Sequence, residues 1–183
     1  MNQTFTDPDV QMLATIAALL QVDYLQEKEI GVGNPFAWIL TQSSRRRDKT
    51  GEQLISGFLA AKDFDVVKCG DSQADRIING HRAEIKFSTL WESGVFKFQQ
   101  IRDQHYDFAI CLGLCPLDAR CWVVPKEMLL LHVIGHTGQH GGAGGTDTAW
   151  MSFGPDEPYN WLRQYGGRLR DAVRVLRQLY ARA

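Results

Sequence analysis

Between Asp75 and Lys86 the chain reads Asp75-Arg76-Ile77-Ile78-Asn79-Gly80-His81-Arg82-Ala83-Glu84-Ile85-Lys86, two strand-like runs joined by Asn-Gly. Asn-Gly is the strongest short-range signal for a two-residue type I′ turn, because both positions tolerate positive φ. Such a turn sets the register: Ile78 faces His81, Ile77 faces Arg82, Arg76 faces Ala83 and Asp75 faces Glu84. Carboxylates directly opposite one another have Cβ atoms about 5 Å apart, and Lys86, two residues beyond Glu84, points to the same face. Like charges so placed repel unless a proton or cation lies between them. The pair therefore asks for a divalent metal, and hard carboxylate oxygens suit Mg²⁺.

Asp75 followed by Glu84-Ile85-Lys86 resembles the D…(D/E)xK signature of the PD-(D/E)xK nuclease superfamily, to which many type II restriction endonucleases belong. The surrounding order is similar to that superfamily's common core: a helix bearing an acid (Glu52), a strand, the acidic hairpin, a helix and another strand, over roughly residues 50–124. The chain departs from the motif at Ala74, where Pro is common. The resemblance implies a restriction-endonuclease-like core and Mg²⁺-dependent hydrolysis of DNA phosphodiesters. Asp75, Glu84 and the Ile85 backbone carbonyl would hold the metal against the scissile phosphate, and Lys86 would orient or help deprotonate a water and stabilise developing charge. Glu52 is implied as an assisting acid, although an acid in the first turn of a helix also complements the helix dipole. Lys97 to Gln104, polar and helix-compatible, is similar to the helix that borders the site in several members. Gln100 and Arg102 there are candidate DNA contacts, since a side-chain amide can read an adenine edge or hold a phosphate.

The formal net charge is −1, but residues 1–44 carry one basic residue against five acidic ones. The remaining 19 basic and 16 acidic residues leave the bulk of the chain mildly basic. Basic residues gather at Arg45-Arg46-Arg47-Asp48-Lys49 and in the C-terminal stretch, where Arg170 and Arg174 are candidate phosphate contacts. A solvated helix face accounts for such charge equally well. Cys69, Cys111, Cys115 and Cys121 form no CxxC pair and read as reduced core thiols. His132, His136 and His140 recur every four residues, but Gly135, Gly138 and the run Gly141-Gly142-Ala143-Gly144-Gly145 argue for a loop rather than a helix aligning three imidazoles. Thr146, Asp147 and Thr148 of that loop could donate to phosphates or bases.

Asp7-Pro8 reads as a helix start, with Val10, Leu13, Ala14, Ala17 and Leu20 at helical spacing to about residue 25. Thr50-Gly51-Glu52-Gln53 has the form of a capping box opening a second helix. Five strands follow, at 64–69, 74–78, 82–87, 106–112 and 120–124, and Leu169, Ala172, Val173, Leu176 and Leu179 mark a final amphipathic helix. The expected architecture is α/β, a central mixed sheet of about five strands flanked by helices. Residues 1–183 read as one nuclease domain, with an N-terminal helical segment (1–45), a catalytic core (50–124) and a C-terminal loop and basic helix (125–183).

At 183 residues with 44% hydrophobic and 22% charged residues, the chain buries enough surface to need no disulfide or structural metal, and whole-chain disorder is excluded. No apolar run approaches the ~20 residues of a membrane span, and the first residues lack the features of a signal peptide. A cytoplasmic location is expected. The reading is a Mg²⁺-dependent type II restriction endonuclease acting on double-stranded DNA, as a homodimer because a palindromic site needs two matching active sites. The alternatives are a repair or junction-cutting nuclease with the same core, a non-catalytic DNA-binding module, and an interaction domain with no nucleic-acid role.

Overall fold

In the computed structural model, which describes residues 6–24, 35–137 and 148–180, Asn79 and Gly80 have φ of 46° and 87°. Both lie in the left-handed region that a type I′ connection requires. The turn joins β2 (Arg76–Ile78) to β3 (His81–Thr89) with Ile78 opposite His81, Ile77 opposite Arg82 and Arg76 opposite Ala83. Asn79 also anchors the turn to the start of β1 (Val66–Lys68). Its Oδ1 accepts from the Asp65 N–H at 2.7 Å, and its own N–H donates to the Asp65 carbonyl at 2.8 Å.

These strands form one side of a six-stranded sheet ordered β1-β2-β3-β5-β6-β8, completed by β5 (Phe108–Leu114), β6 (Ala119–Pro125) and β8 (Gly166–Arg168). β3 and β5 are parallel and the other neighbours antiparallel, so the sheet is mixed. Every residue of β5 is buried, the near-continuous apolar run expected of a strand covered on both faces. Its side chains alternate between two cores: Ile110 and Leu112 go to one, Ala109 and Cys111 to the other.

The first core is roofed by α1 (Pro8–Tyr24), the short α2 (Ala37–Leu40), α3 (Ser44–Ala60) and α5 (Leu169–Tyr180). α1 starts where Asp7 and Pro8 place it, with the Asp9 N–H donating to Asp7 Oδ1 at 2.8 Å. Leu13, Leu54, Phe58 and Leu176 are completely or almost completely buried against the sheet. The opposite face is covered by an antiparallel ribbon of β4 (Phe96–Ile101) and β7 (Ala149–Phe153), with α4 (Lys126–His132) and a 3₁₀ turn at Asn160–Tyr165 beside it. Trp122 stands edge-on to Phe153 at 4.9 Å between centroids, with Phe96 and Phe98 adjacent. Full burial of a large apolar side chain such as Phe98 stabilises by about 1.5–3 kcal/mol.

Two expectations need correcting. Lys97 to Gln104 is not a helix: its first part is β4, because Phe96 and Phe98 alternate inward and pair with Phe153 and Met151 of β7. The second helix begins at Ser44, not Thr50, since the arginine run supplies good helix formers, and Thr50 bonds back to the Arg46 carbonyl at 2.9 Å instead of capping. The expected central mixed sheet flanked by helices is present; it has six strands, β8 lying at the edge beside β6. Among the described residues no helix is long and apolar enough to cross a membrane.

Candidate active site

β2 stops pairing at Arg76, so from Glu84 onward one edge of β3 has no strand beside it. Asp75 takes over that edge: its N–H donates to the Ala83 carbonyl at 3.0 Å, and its Oδ2 accepts from the Ile85 N–H at 2.7 Å. The ladder therefore ends one pair earlier than a strict Asp75–Glu84 facing would need, and a carboxylate replaces the missing strand as acceptor. In an extended strand a residue's N–H and C=O point to the same side, so the Ile85 carbonyl shares this open edge with Asp75.

Glu84 and Lys86 leave β3 toward the ribbon side and meet, Oε1 to Nζ, at 2.7 Å. Glu84 is only 8% exposed. Burial raises its carboxyl above the ordinary range; Lys86 opposes that shift, and Asp75, close enough to share a hydrogen bond with it, reinforces it. Behind it, buried Tyr106 donates its hydroxyl to the Arg102 carbonyl at 2.8 Å, and burial together with the Glu84 charge pushes that phenol up as well.

α3 reaches the same place because Gly51 lets it sit against Phe87 of β3; an added Cβ would lie 2.4 Å from the ring. This contact carries Glu52 and Asp48, one helical turn apart, to the edge of β3. Burial raises Glu52, with Asp75 adding to the shift and Arg76 opposing it through a 3.2 Å ion pair. Arg76 is held in turn by Ser56 Oγ at 2.9 Å and the Asp75 carbonyl at 2.7 Å. Asp48 is also raised by partial burial, against the pull of Lys86 and Arg47.

The result is an open cleft of about 430 Å³. One wall holds Asp48, Glu52, Asp75, Glu84 and Lys86; β4 and the residues after it form the other, with Lys97, Gln99, Gln100 and Arg102. Gln100 and Arg102 thus join the cleft from a strand and its exit, not from a helix. Arg170 and Arg174 are exposed on α5 and are not among the residues lining the cleft; Arg174 pairs with Asp171 at 2.9 Å.

Sequence reasoning missed Asp48 and Arg76. Asp48 was hidden in a basic run, and its signal, an acid four residues before Glu52, becomes visible only once the helix is extended back to Ser44. Among the described residues no three or more His, Cys, Asp and Glu side chains form a ready metal cage; Glu52 pairs with Arg76, and Glu84 meets Lys86 through Oε1. The available donor set is Asp75, Glu84 and the Ile85 carbonyl. That suits Mg²⁺, which is held by one or two carboxylates and completes its octahedron with waters and substrate phosphate.

All four cysteines are free, and burial pushes the Cys111 thiol up to about 12, so it stays protonated. His132 stacks on Trp161 at 4.6 Å. His140, the glycine run, Thr146 and Asp147 lie outside the described residues.

No protein-family model matches the sequence, and no curated protein matches it. In three dimensions the chain is similar to the structure of a bacterial homing endonuclease, I-Ssp6803I. The TM-score is 0.52 at 10% identity, over 78% of this chain and 99% of that one. The likeness is one of fold: a mixed sheet flanked by helices, in an arrangement found in a nuclease.

Proposed function

We propose that this chain is a Mg²⁺-dependent endonuclease of the type II restriction kind, hydrolysing phosphodiester bonds of double-stranded DNA at a specific site. The observation that carries the reading is the meeting of Asp75, Glu84 and Lys86 at the open edge of β3, in a fold shared with a bacterial homing endonuclease. Asp75, Glu84 and the Ile85 carbonyl would hold Mg²⁺, which when bound supplies charge neutralisation at the phosphate and an activated water at neutral pH.

The chain's own residues then have distinct tasks. Asp75 is oriented by the Ile85 N–H, so its second oxygen stays directed along the strand edge. Lys86, held by Glu84, places an ammonium where it orients the attacking water and offsets the negative charge that grows on the phosphate. Glu52 assists through Arg76, which ties the helix to the Asp75 backbone. Arg47 and Ser44, at the start of α3, present cationic and hydroxyl groups beside the positive end of the helix, suited to positioning flanking phosphates. A homodimer follows from the two-fold symmetry of a palindromic duplex.

A second reading keeps the chemistry and changes the substrate: a site-specific nuclease outside restriction systems, which the homing-endonuclease fold favours. One assay addresses both. Purified protein incubated with plasmid and phage DNA in Mg²⁺ should give discrete fragments, and none in EDTA. Fragments from many short sites support the restriction reading, and rare or single cuts support the second. DNA left intact in Mg²⁺, or an Asp75→Asn protein cutting at the wild-type rate, would overturn the assignment.

A further inference from the structure

β4 does not keep the alternation of an ordinary strand. Phe96 and Phe98 point inward and Lys97 and Gln99 outward, so a regular continuation would bury Gln100 and expose Ile101. The opposite is found: Gln100 is exposed and Ile101 buried. The pairing explains why. Phe98 is opposite Met151 and Ile101 opposite Ala149, so three steps along β4 match two along β7, and the extra residue is a β-bulge. Gln100 takes up the bulge at φ 55°, a left-handed conformation uncommon for a residue with a long side chain. The bulge places two consecutive amides, Gln99 and Gln100, on the outer face, and both line the cleft that holds Asp75 and Glu84.

Resting on the nuclease reading above, we propose that the β4–β7 ribbon is the base-reading element of this protein. Gln99 and Gln100 enter the major groove of duplex DNA beside the cut and select adenine. Three observations support it. A two-stranded ribbon fits the major groove, about 12 Å wide, and a glutamine amide pairs in bidentate fashion with adenine N6 and N7. The amides are flanked by Lys97, whose Nζ lies 3.8 Å over the exposed Trp91 ring, and by Arg102, so the wall that carries them is cationic and complements a phosphate backbone. Finally, bulges re-aim side chains next to active sites, and this one turns toward the cleft a side chain that would otherwise be buried. Because the reading residues and the carboxylates share one cleft, the selected adenines should lie within a few base pairs of the scissile bond.

The test is selection from a duplex library randomised around a fixed core, retained on the protein with Ca²⁺ in place of Mg²⁺, followed by sequencing. Wild-type protein should enrich adenine at one or two positions near the cut. Gln99→Ala/Gln100→Ala should lose on the order of tenfold of that preference per contact while keeping its affinity for unselected DNA and its salt dependence. Gln100→Gly guards against misfolding, since glycine relaxes the positive φ: it should melt no lower than wild type and still lose selectivity. Identical enrichment by wild type and both variants would overturn the proposal and leave the nuclease reading intact. Wild-type protein that binds and cuts duplex DNA with no base preference would overturn the proposal together with site specificity, leaving only the metal-dependent cleavage chemistry. Protein that neither binds nor cuts any duplex, or binds only single strands, overturns both.

Discussion

The two walls of the cleft achieve function-like surfaces by opposite means. The wall made by α3 and the β2–β3 edge gathers Asp48, Glu52, Asp75 and Glu84, with Lys86 paired to Glu84 and Arg76 to Glu52, so acids are concentrated in a half-buried place. The β4 wall has no such repulsion; it offers amides and cations, and its irregularity is in the backbone, at Gln100. One wall carries electrostatic tension that a cation would relieve. The other carries conformational tension that repositions a side chain. On the proposed reading the first kind serves the chemistry, because clustered carboxylates attract a cation, and the second serves recognition, because a bulge re-aims an amide.

If that contrast is right, neutralising the acidic wall should have the largest effect, and on turnover rather than affinity. Asp75→Asn or Glu84→Gln should lower single-turnover cleavage by about three orders of magnitude, and anisotropy should show duplex affinity unchanged or higher, since one of the wall's carboxylates that repel phosphate is gone. Lys86→Ala should cost on the order of a hundredfold in rate yet leave a calorimetric Mn²⁺ titration intact, because an ammonium is not a metal ligand. Gln99→Ala should leave cleavage of bound DNA within about tenfold of wild type, as expected of a side chain that reads a base rather than reacting. Equal rate losses on both walls would erase the distinction.

Matched glycine substitutions probe how each wall is held. Gly51→Ala drives a methyl into Phe87 and Gly113→Ala drives one to 2.7 Å from the Phe96 ring. Each should destabilise by about 1–3 kcal/mol, visible as a melting point lower by several degrees. Gly51→Ala displaces the helix carrying Asp48 and Glu52 and should lower the cleavage rate; Gly113→Ala displaces the ribbon and should blur base preference.

pH separates the walls further. Glu84, Glu52 and Asp48 all have carboxyls raised in the folded protein, chiefly by burial, so the folded state binds their protons more tightly than the unfolded one. Their contribution is therefore most favourable at low pH and is lost as pH rises from the ordinary carboxylate range through the raised folded-state values. In EDTA, melting points taken from about pH 5 to 8 should show this decline, and Glu84→Gln or added Mg²⁺ should flatten it. A melting point that rises with pH in EDTA would contradict carboxyls raised by burial.

The smallest effect concerns α5. Removing Lys97 or Arg47 from the cleft should reduce the slope of log affinity against log salt by about one unit each, whereas Arg170→Ala/Arg174→Ala should change it less. A full unit per α5 arginine would extend the DNA footprint well beyond the cleft.

The parts of this molecule that were legible from the chain alone are those decided by neighbours in sequence. Asn79-Gly80 sets φ at two adjacent residues and hence the Ile78–His81, Ile77–Arg82 and Arg76–Ala83 pairs; Leu169 to Leu179 carries its amphipathic period within one segment. Phe-Lys-Phe at 96–98 already alternates with period two, yet the polar stretch after it is equally compatible with a helix. What made it a strand was Ala149–Phe153, some fifty residues away, which no local pattern connects to it.

The amino-acid sequence by itself determined that the turn at Asn79-Gly80 would bring the segment carrying Asp75 back beside β3 and that Glu84 and Lys86 would share a face, because a two-residue turn leaves only one register and side chains two apart point the same way. The seat of Asp75, on the Ile85 N–H rather than opposite Glu84, was not in it. Tertiary structure decided the rest of the cleft. The early end of β2 left an open strand edge, the Gly51–Phe87 contact brought Asp48 and Glu52 to it, and pairing with β7 forced the bulge at Gln100. Those three features depend on where separate segments pack, and packing is chosen by burial of the whole apolar surface, a non-directional drive that no single stretch of sequence encodes.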